Sequence, residues 1–377
     1  MAGDREFDFI VIGAGIAGAS AGFELSAVGR VALLEREDQP GYHTTGRSAA
    51  LYIQSYGNQT VRALTVGSWE FYTDPPAGFA EQPLLNDRGV LFVGRPDQIA
   101  ELDRLAAETR PLAPHIQRLD ASAARSLVPV LRADALGGAV LDSQAMEIDV
   151  NALHQGYLRG LKARGGAVVT RAEVRGLQPG TGRWQVETKA GTFAAPVVVN
   201  AAGAWCDEIA ELAGATPVGL VPKRRTAITF DPPPGLDTRN WPLTVSVAED
   251  FYFKPDSGRL MGSPAEETPM PPCDVQPDEI DIAIAVDRIQ TATTLEIRRI
   301  HNSWAGLRTF AADKTHVAGF DPRRDGFFWL AGQGGFGIQT APAMGRLTAA
   351  LATGGPLPED LAELGVTAEA LSPARFA

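Results

Sequence analysis

The sequence predicts an α/β fold in two lobes (α+β overall), a Rossmann-like lobe carrying an inserted lobe built on a mostly antiparallel sheet. Three observations predict it. Phe7-Asp8-Phe9-Ile10-Val11-Ile12 is a short apolar strand that passes through Gly13-Ala14-Gly15-Ile16-Ala17-Gly18 into a helix reaching about Val28, and Val31-Ala32-Leu33-Leu34-Glu35 is a second strand. Apolar strands of the same kind return in the middle of the chain, at 196–200, and near its end, at 326–331. Between these, over 224–262, the pattern becomes alternating and rich in Phe, Thr and Val.

The remaining elements follow in order. Residues 97–109 have a helical pattern and 120–126 start another helix. Asp149-Val150-Asn151 opens a helix through Lys162, stopped by Gly165-Gly166. A strand follows at 167–170, and Trp184 to Thr188 alternate as a half-buried strand. The prolines and glycine of 231–235 and the prolines of 269–272 mark loops. Gly332 to Gly337 form a glycine-rich turn, and a helix is expected over 338–351. The expected division is discontinuous: 1–80, 143–222 and 315–377 bind the dinucleotide, and 81–142 and 223–314 bind the substrate.

Size and composition narrow the function. The chain has 377 residues, 45% of them hydrophobic, enough for two cores. Its net charge of −11 opposes binding to a nucleic acid. No apolar run approaches the ~20 residues that span a bilayer, so an integral membrane protein is not expected. Met1-Ala2-Gly3-Asp4-Arg5-Glu6 lacks the basic and cleavable regions of a signal peptide. A cytoplasmic location follows as the expectation, with a membrane-peripheral one compatible. Two cysteines, Cys206 and Cys273, and five dispersed histidines make neither a disulfide framework nor a metal site, so no metal is expected.

The glycine run is Gly-x-Gly-x-x-Gly in its proper context, after a strand and before a helix. Gly13 permits the tight turn, Gly15 lets a pyrophosphate approach, and Gly18 lets the helix pack close. Ile16 and Ala17 place the first helical amides toward the phosphates. Glu35 ends the second strand, where a carboxylate accepts both ribose hydroxyls and Arg36 follows it. NAD and FAD share this fingerprint. The second glycine-rich turn, Gly334-Gly335-Phe336-Gly337-Ile338, favours FAD, because a helix N-terminus there would stabilise the charge that reduction places on a flavin. A tight packing turn is its plain alternative.

These segments, with Gly41-Tyr42-His43-Thr44-Thr45-Gly46-Arg47-Ser48, Asn200-Ala201-Ala202-Gly203-Ala204-Trp205, Pro222-Lys223-Arg224-Arg225 and Trp304-Ala305-Gly306-Leu307-Arg308, resemble the D-amino acid oxidase/glycine oxidase (DAO) family of FAD-dependent oxidoreductases. The resemblance spans the chain and is closest to its bacterial D-arginine dehydrogenases. It implies that Thr44, Thr45, Arg47 and Ser48 line the flavin and its phosphates. It places Val174 by the adenine, Ala202, Gly203 and Trp205 beside the cofactor, and Gly335 to Ile338 against the isoalloxazine. Neither a cysteine nor a histidine lies in the C-terminal turn, so FAD is expected to be non-covalent.

The resemblance also implies the substrate site. Arg308 would pair with the substrate carboxylate, which suits its planar fork. Arg225 would be a second contact and Tyr252 a hydroxyl donor, and Tyr56 lies on a segment resembling the family's mobile lid. Each has a structural alternative: an ion pair for Arg308, which precedes an apolar strand, a solvated charge run for Arg225, and core packing for Tyr252. Where the arginine-oxidising branch carries a lid histidine, a lid threonine and a glutamate facing the guanidinium, this chain has Leu51, Ile53 and Val90. With Gly335 these would form an apolar side-chain pocket. The expected activity is oxidation of a neutral or hydrophobic D-amino acid to the imino acid by hydride transfer. Glu249, Asp250 and Asp87 are acids that could oppose that preference. An N-methyl or cyclic imino acid, or a 2-hydroxy acid, is the alternative substrate, and a non-catalytic flavin-binding assembly protein the alternative class. The electron acceptor, a quinone, a carrier protein or O2, has no motif.

Overall fold

The computed structural model describes residues 6–376. The expectation placed on Met1 to Arg5 lies outside the described residues. A six-stranded sheet runs in the order Val317–Phe320, Phe327–Ala331, Val197–Asn200, Phe9–Ile12, Val31–Leu34, Ala167–Val169. Every pairing in it is parallel except that of Val317–Phe320. Strands from the start, middle and end of the chain therefore lie side by side, with Ile12 opposite Asn200 and Asn200 opposite Trp329.

Both faces of this sheet are covered, which is why its central strands read as unbroken apolar runs. Phe9 and Val11 turn to one core with Leu33, Val199, Phe328 and Leu330. That core is closed by the helices Ile16–Leu25, Val150–Ala163 and Ala341–Ala352. Ile10 and Ile12 turn to the other core, with Trp184, Val186, Phe327 and Trp329. That core is shared with an antiparallel three-stranded sheet, Val174–Gly180, Arg183–Thr188 and Gly191–Ala195.

A ten-stranded sheet makes the second large layer. Along its path lie Gln333–Gly334, Ile300–Phe310, Val221–Phe230, Arg259–Ser263, Tyr252–Asp256, Leu243–Ser246, Val90–Gly94, Gly138–Asp142 and Gln117–Leu119, and Thr268–Pro269 pairs off it. Its pairs are antiparallel except Val90–Gly94 against Leu243–Ser246, which are parallel. A small third sheet joins Leu51–Tyr52, Met146–Ile148 and Leu85–Asp87.

Three differences from the sequence expectations have physical causes. The first helix ends at Leu25, because Ser26 to Gly29 close it with a frayed turn. The last helix starts at Ala341 rather than 338, with Thr340 as its cap and Pro342 in its first turn. The helix Glu279–Ala292 is absent from the sequence expectation. Asp278 caps it by accepting from the Ile280 N–H, and it buries only Asp281, Ala285 and Ile289, a stripe too thin to announce a helix. Among the described residues, no helix is long and apolar enough to cross a membrane.

Candidate active site

One elongated cavity of about 400 Å³ runs from the first glycine turn to the ten-stranded sheet. At its near end Gly13 takes φ 97° as the chain leaves the strand. A Cβ there would stand 2.5 Å from the Ala201 carbonyl oxygen, and one on Gly18 would stand 1.9 Å from the Gly13 oxygen. The turn is therefore open only to glycine and packs its helix directly on the strand. His154, buried, donates from Nε2 to the Ala14 carbonyl at 2.8 Å and braces the loop from behind. Sequence reasoning missed this residue, whose only signal is a histidine on the buried side of a helix.

Glu35 lies at the cavity edge, 7% exposed. Its Oε2 accepts from the Ala14 N–H and its Oε1 from the Glu37 N–H, both at 3.0 Å. Burial raises its carboxyl above the ordinary value, against the pull of those two N–H groups. Each oxygen keeps a lone pair for a ribose hydroxyl. Thr45 Oγ1 accepts from the Ile16 N–H at 3.0 Å and ties the 44–48 turn to the first helix. Ser48 donates to the Thr45 carbonyl and Thr44 to the Leu307 carbonyl, joining that turn to the large sheet. Arg47 lines the cavity, but its guanidinium is committed to the Val275 and Ala305 carbonyls and to Asp274. Trp205 is flanked by His43, at 4.8 Å between rings, and by Arg36, 4.8 Å from its ring centroid. These residues fit the expected dinucleotide.

Of the expected cofactor residues, Gly13, Gly15, Ile16, Ala17, Glu35, Arg36, Thr44, Thr45, Arg47, Ser48, Val174, Ala202, Gly203, Trp205, Gly334, Gly335, Gly337 and Ile338 line this cavity. Gly18 does not, in keeping with its packing role. Phe336 does not either, which corrects its placement against the isoalloxazine. It is buried beneath the site, edge-on to Tyr56 at 4.9 Å and to Phe310 at 6.2 Å. The later start of the last helix also means that Gly335 to Ile338 belong to a turn, not to a helix N-terminus.

The far end gathers Tyr56, Arg225, Tyr252 and Arg308. Arg308 lies within the strand Ile300–Phe310, not before one, and Lys223 opposite it places Arg225 two residues along on the paired strand. Arg308 is 9% exposed and donates to the Tyr56 hydroxyl at 2.8 Å, while its other terminal nitrogen has no hydrogen-bond partner among the described residues. Arg225 donates from Nε to the Glu266 carbonyl at 2.9 Å, and one of its terminal nitrogens is buried with no hydrogen bond among the described residues, its ion-pair neighbour Glu267 standing off at 4.0 Å. The rest of the basic triplet is spent elsewhere, Lys223 on Glu267 and Arg224 on Asp281. Two guanidinium groups that line the cavity, each with a terminal nitrogen left without a hydrogen bond at a cost of about 1–3 kcal/mol, suit this end to an anion.

Gly335 is what lets Arg308 lie there. A Cβ on Gly335 would fall 1.7 Å from the Arg308 terminal nitrogen. Tyr252 faces the cavity, whereas Phe251 and Phe253 on either side stack in the core behind at 6.5 Å.

Leu51, Ile53 and Val90 form one apolar wall with Phe92, Leu243 and Val245. The last three were missed, although Phe92 follows Val90 at the strand period and Leu243 and Val245 repeat it on the neighbouring strand. Of the three acids expected nearby, Glu249 reaches the cavity, and Tyr56 donates to it at 3.3 Å. Asp87 and Asp250 do not line it. The segment from Leu51 to Tyr56 is tethered: Gln339 holds both the N–H and the carbonyl of Ile53, at 3.4 and 3.5 Å.

Comparisons with known proteins bear on the family and the fold. The sequence profile of the FAD dependent oxidoreductase (DAO) family matches residues 8–351. The uncharacterized oxidoreductase YurR of Bacillus subtilis is 27% identical over 368 residues, covering 92% of this chain and 95% of that one. Glycine oxidase of Geobacillus kaustophilus is 25% identical over 377 residues, covering 96% of this chain and 97% of that one. Its crystal structure superposes with a TM-score of 0.82 at 22% identity, covering 96% of this chain and 99% of that chain. L-proline dehydrogenase from P. horikoshii superposes at 0.83 with 22% identity, covering 99% and 98%. At that identity the two structures speak for the fold.

Proposed function

The chain belongs to the DAO family of FAD-dependent oxidoreductases, and from that premise we propose that it oxidises a neutral or hydrophobic D-amino acid to its imino acid, which water converts to the 2-oxo acid and ammonia. The observation that carries this reading is that Arg308 and Arg225 both reach the cavity beside an apolar wall, each with a terminal guanidinium nitrogen that makes no hydrogen bond among the described residues. The arginines take the substrate carboxylate, Arg308 through its planar fork. Tyr252 offers a hydroxyl on the same side. Leu51, Ile53, Val90, Phe92, Leu243 and Val245 receive the side chain, and a cationic one would find no acid among them, Glu249 being engaged by the Tyr56 hydroxyl.

FAD, when bound, supplies the two-electron acceptor that takes the hydride leaving Cα. The chain's own residues bind, orient and exclude water. Burial holds the Tyr56 hydroxyl above its ordinary value, against the pull of Arg308, so it stays a neutral donor to Glu249. The cofactor is held non-covalently in this reading, since the glycine-rich turn 332–338 carries neither a cysteine nor a histidine. In this reading 1–80, 143–222 and 315–377 carry FAD, and 81–142 with 223–314 carry the clamp arginines and Val90, Phe92, Leu243 and Val245, while Leu51, Ile53 and Tyr56 complete the substrate site from the first segment.

Anaerobic reduction of the purified flavoprotein tests the proposal, with a panel of D- and L-amino acids, imino acids and 2-hydroxy acids. Fast bleaching by D-leucine or D-valine, with D-arginine poor, is expected. Bleaching by L-amino, imino or hydroxy acids alone overturns the substrate assignment.

A further inference from the structure

Asp142 ends the strand Gly138–Asp142 and is 1% exposed. It lies directly across from Val90 in the sheet, at the seam between the apolar wall and the segment from Leu51 to Tyr56. Its Oδ2 accepts from the hydroxyl of Ser55, also 1% exposed, at 2.8 Å. Its Oδ1 meets His115 Nε2 at 2.7 Å and the Gln144 N–H at 3.3 Å. Around them lie Ala113, Ile116, Val140 and Ala145 of the apolar cluster that forms the wall. A carboxyl group in such surroundings is costly unless both oxygens are bonded. The segment it grips supplies three cavity residues, Leu51, Ile53 and Tyr56, and Tyr56 in turn holds Arg308.

We propose that Asp142, braced by His115, is a positioning residue that acts through Ser55 to hold Ile53 and Tyr56 in the arrangement that closes the substrate cavity. It touches neither substrate nor cofactor. Its effect is on the fraction of molecules whose wall is in place, and apparent affinity scales with that fraction. A saturating substrate restores the closed arrangement, so the limiting rate of flavin reduction is spared. The kinetic part of this proposal rests on the amino-acid reading above.

The test uses the FAD-loaded protein and the variants Ser55→Ala, Asp142→Ala and Asp142→Asn. Asparagine still accepts from His115 and can donate to Ser55, so it is the conservative rescue. Without substrate, hydrogen exchange of the peptide 51–57 is expected to quicken about tenfold in Ser55→Ala and Asp142→Ala, and to stay near wild type in Asp142→Asn, as one lost buried hydrogen bond implies. Exchange in Phe9–Ile12 stays unchanged. In anaerobic reduction, the apparent substrate Kd rises about fivefold while the limiting rate stays within about twofold.

Unchanged exchange at 51–57 in Ser55→Ala overturns the proposal. So does exchange that quickens equally in Phe9–Ile12, or a limiting rate that falls in step with lost FAD, because both describe plain destabilisation. Should no amino acid reduce the wild-type flavin, the substrate assignment fails, and the exchange result still decides for or against Asp142.

Discussion

The Arg308 guanidinium and the Tyr56 hydroxyl, 252 residues apart in sequence, meet at 2.8 Å inside the cavity. The contact joins the strand Ile300–Phe310, which carries the proposed carboxylate clamp, to the segment from Leu51 to Tyr56. Arg308→Lys keeps the charge but loses the fork, and kcat/KM is expected to fall about a hundredfold or more, since a broken buried charge pair costs about 2–5 kcal/mol. Tyr56→Phe removes one hydrogen bond to a charged group and should lower kcat/KM about tenfold. Steady-state kinetics with FAD content measured in parallel checks both, and a Tyr56→Phe enzyme equal to wild type would refute a working role for the contact.

Gly335→Ala should disable substrate binding without unfolding the protein. The added methyl falls on the Arg308 guanidinium rather than on backbone, so the arginine is displaced and the sheet is not. A normal melting temperature with substrate affinity at least about tenfold weaker is expected, as for loss of a charged hydrogen bond. Retained affinity would mean that Arg308 does not bind the carboxylate from this position.

Val90→Glu should redirect the side-chain preference. Val90 is fully buried and lines the cavity, so a carboxylate there meets the end of a substrate side chain. The ratio of kcat/KM for D-arginine to that for D-leucine should rise at least about tenfold, with a lowered melting temperature from the unpaired acid in the empty site. No change in the ratio would place the side chain elsewhere.

Glu266 links the clamp to pH. Burial pushes its carboxyl from 4.5 up to about 7, although Thr226 and Arg225 draw it down. Between those values the folded protein holds a proton that the unfolded chain has lost. Stability is therefore greatest below about 4.5 on this account and declines as pH rises to about 7, by on the order of 2–3 kcal/mol. Glu266→Gln should remove that decline. Thermal melts of both proteins from pH 4 to 8 measure it, and parallel curves would dismiss the residue as the cause.

The parallel layer was legible in the sequence because both its faces are covered. Ile10 and Val11, Val198 and Val199 face opposite cores, and so the strands announce themselves as unbroken apolar runs. The cofactor cradle was legible for a related reason: Gly13 has no substitute at φ 97°. Phe336 was misplaced because a residue inside a glycine-rich turn can point to either side, and here it serves as the floor under Arg308, 6.0 Å from its ring. Phe92, Leu243 and Val245 went unseen because the two parallel strands that unite them are separated by some 150 residues of chain, and strand pairing across that distance leaves no local mark. His154, Gln339 and Asp142 act through hydrogen bonds to residues distant in sequence, which composition and periodicity do not encode.

Most of the proposed wall and the proposed clamp come from different strands of one sheet. Val90, Phe92, Leu243 and Val245 stand on the parallel pair, and Arg225 and Arg308 on the long antiparallel pair. On the proposed reading, a library confined to those four positions reshapes the side-chain pocket while Arg225 and Arg308 keep their strands and their spacing.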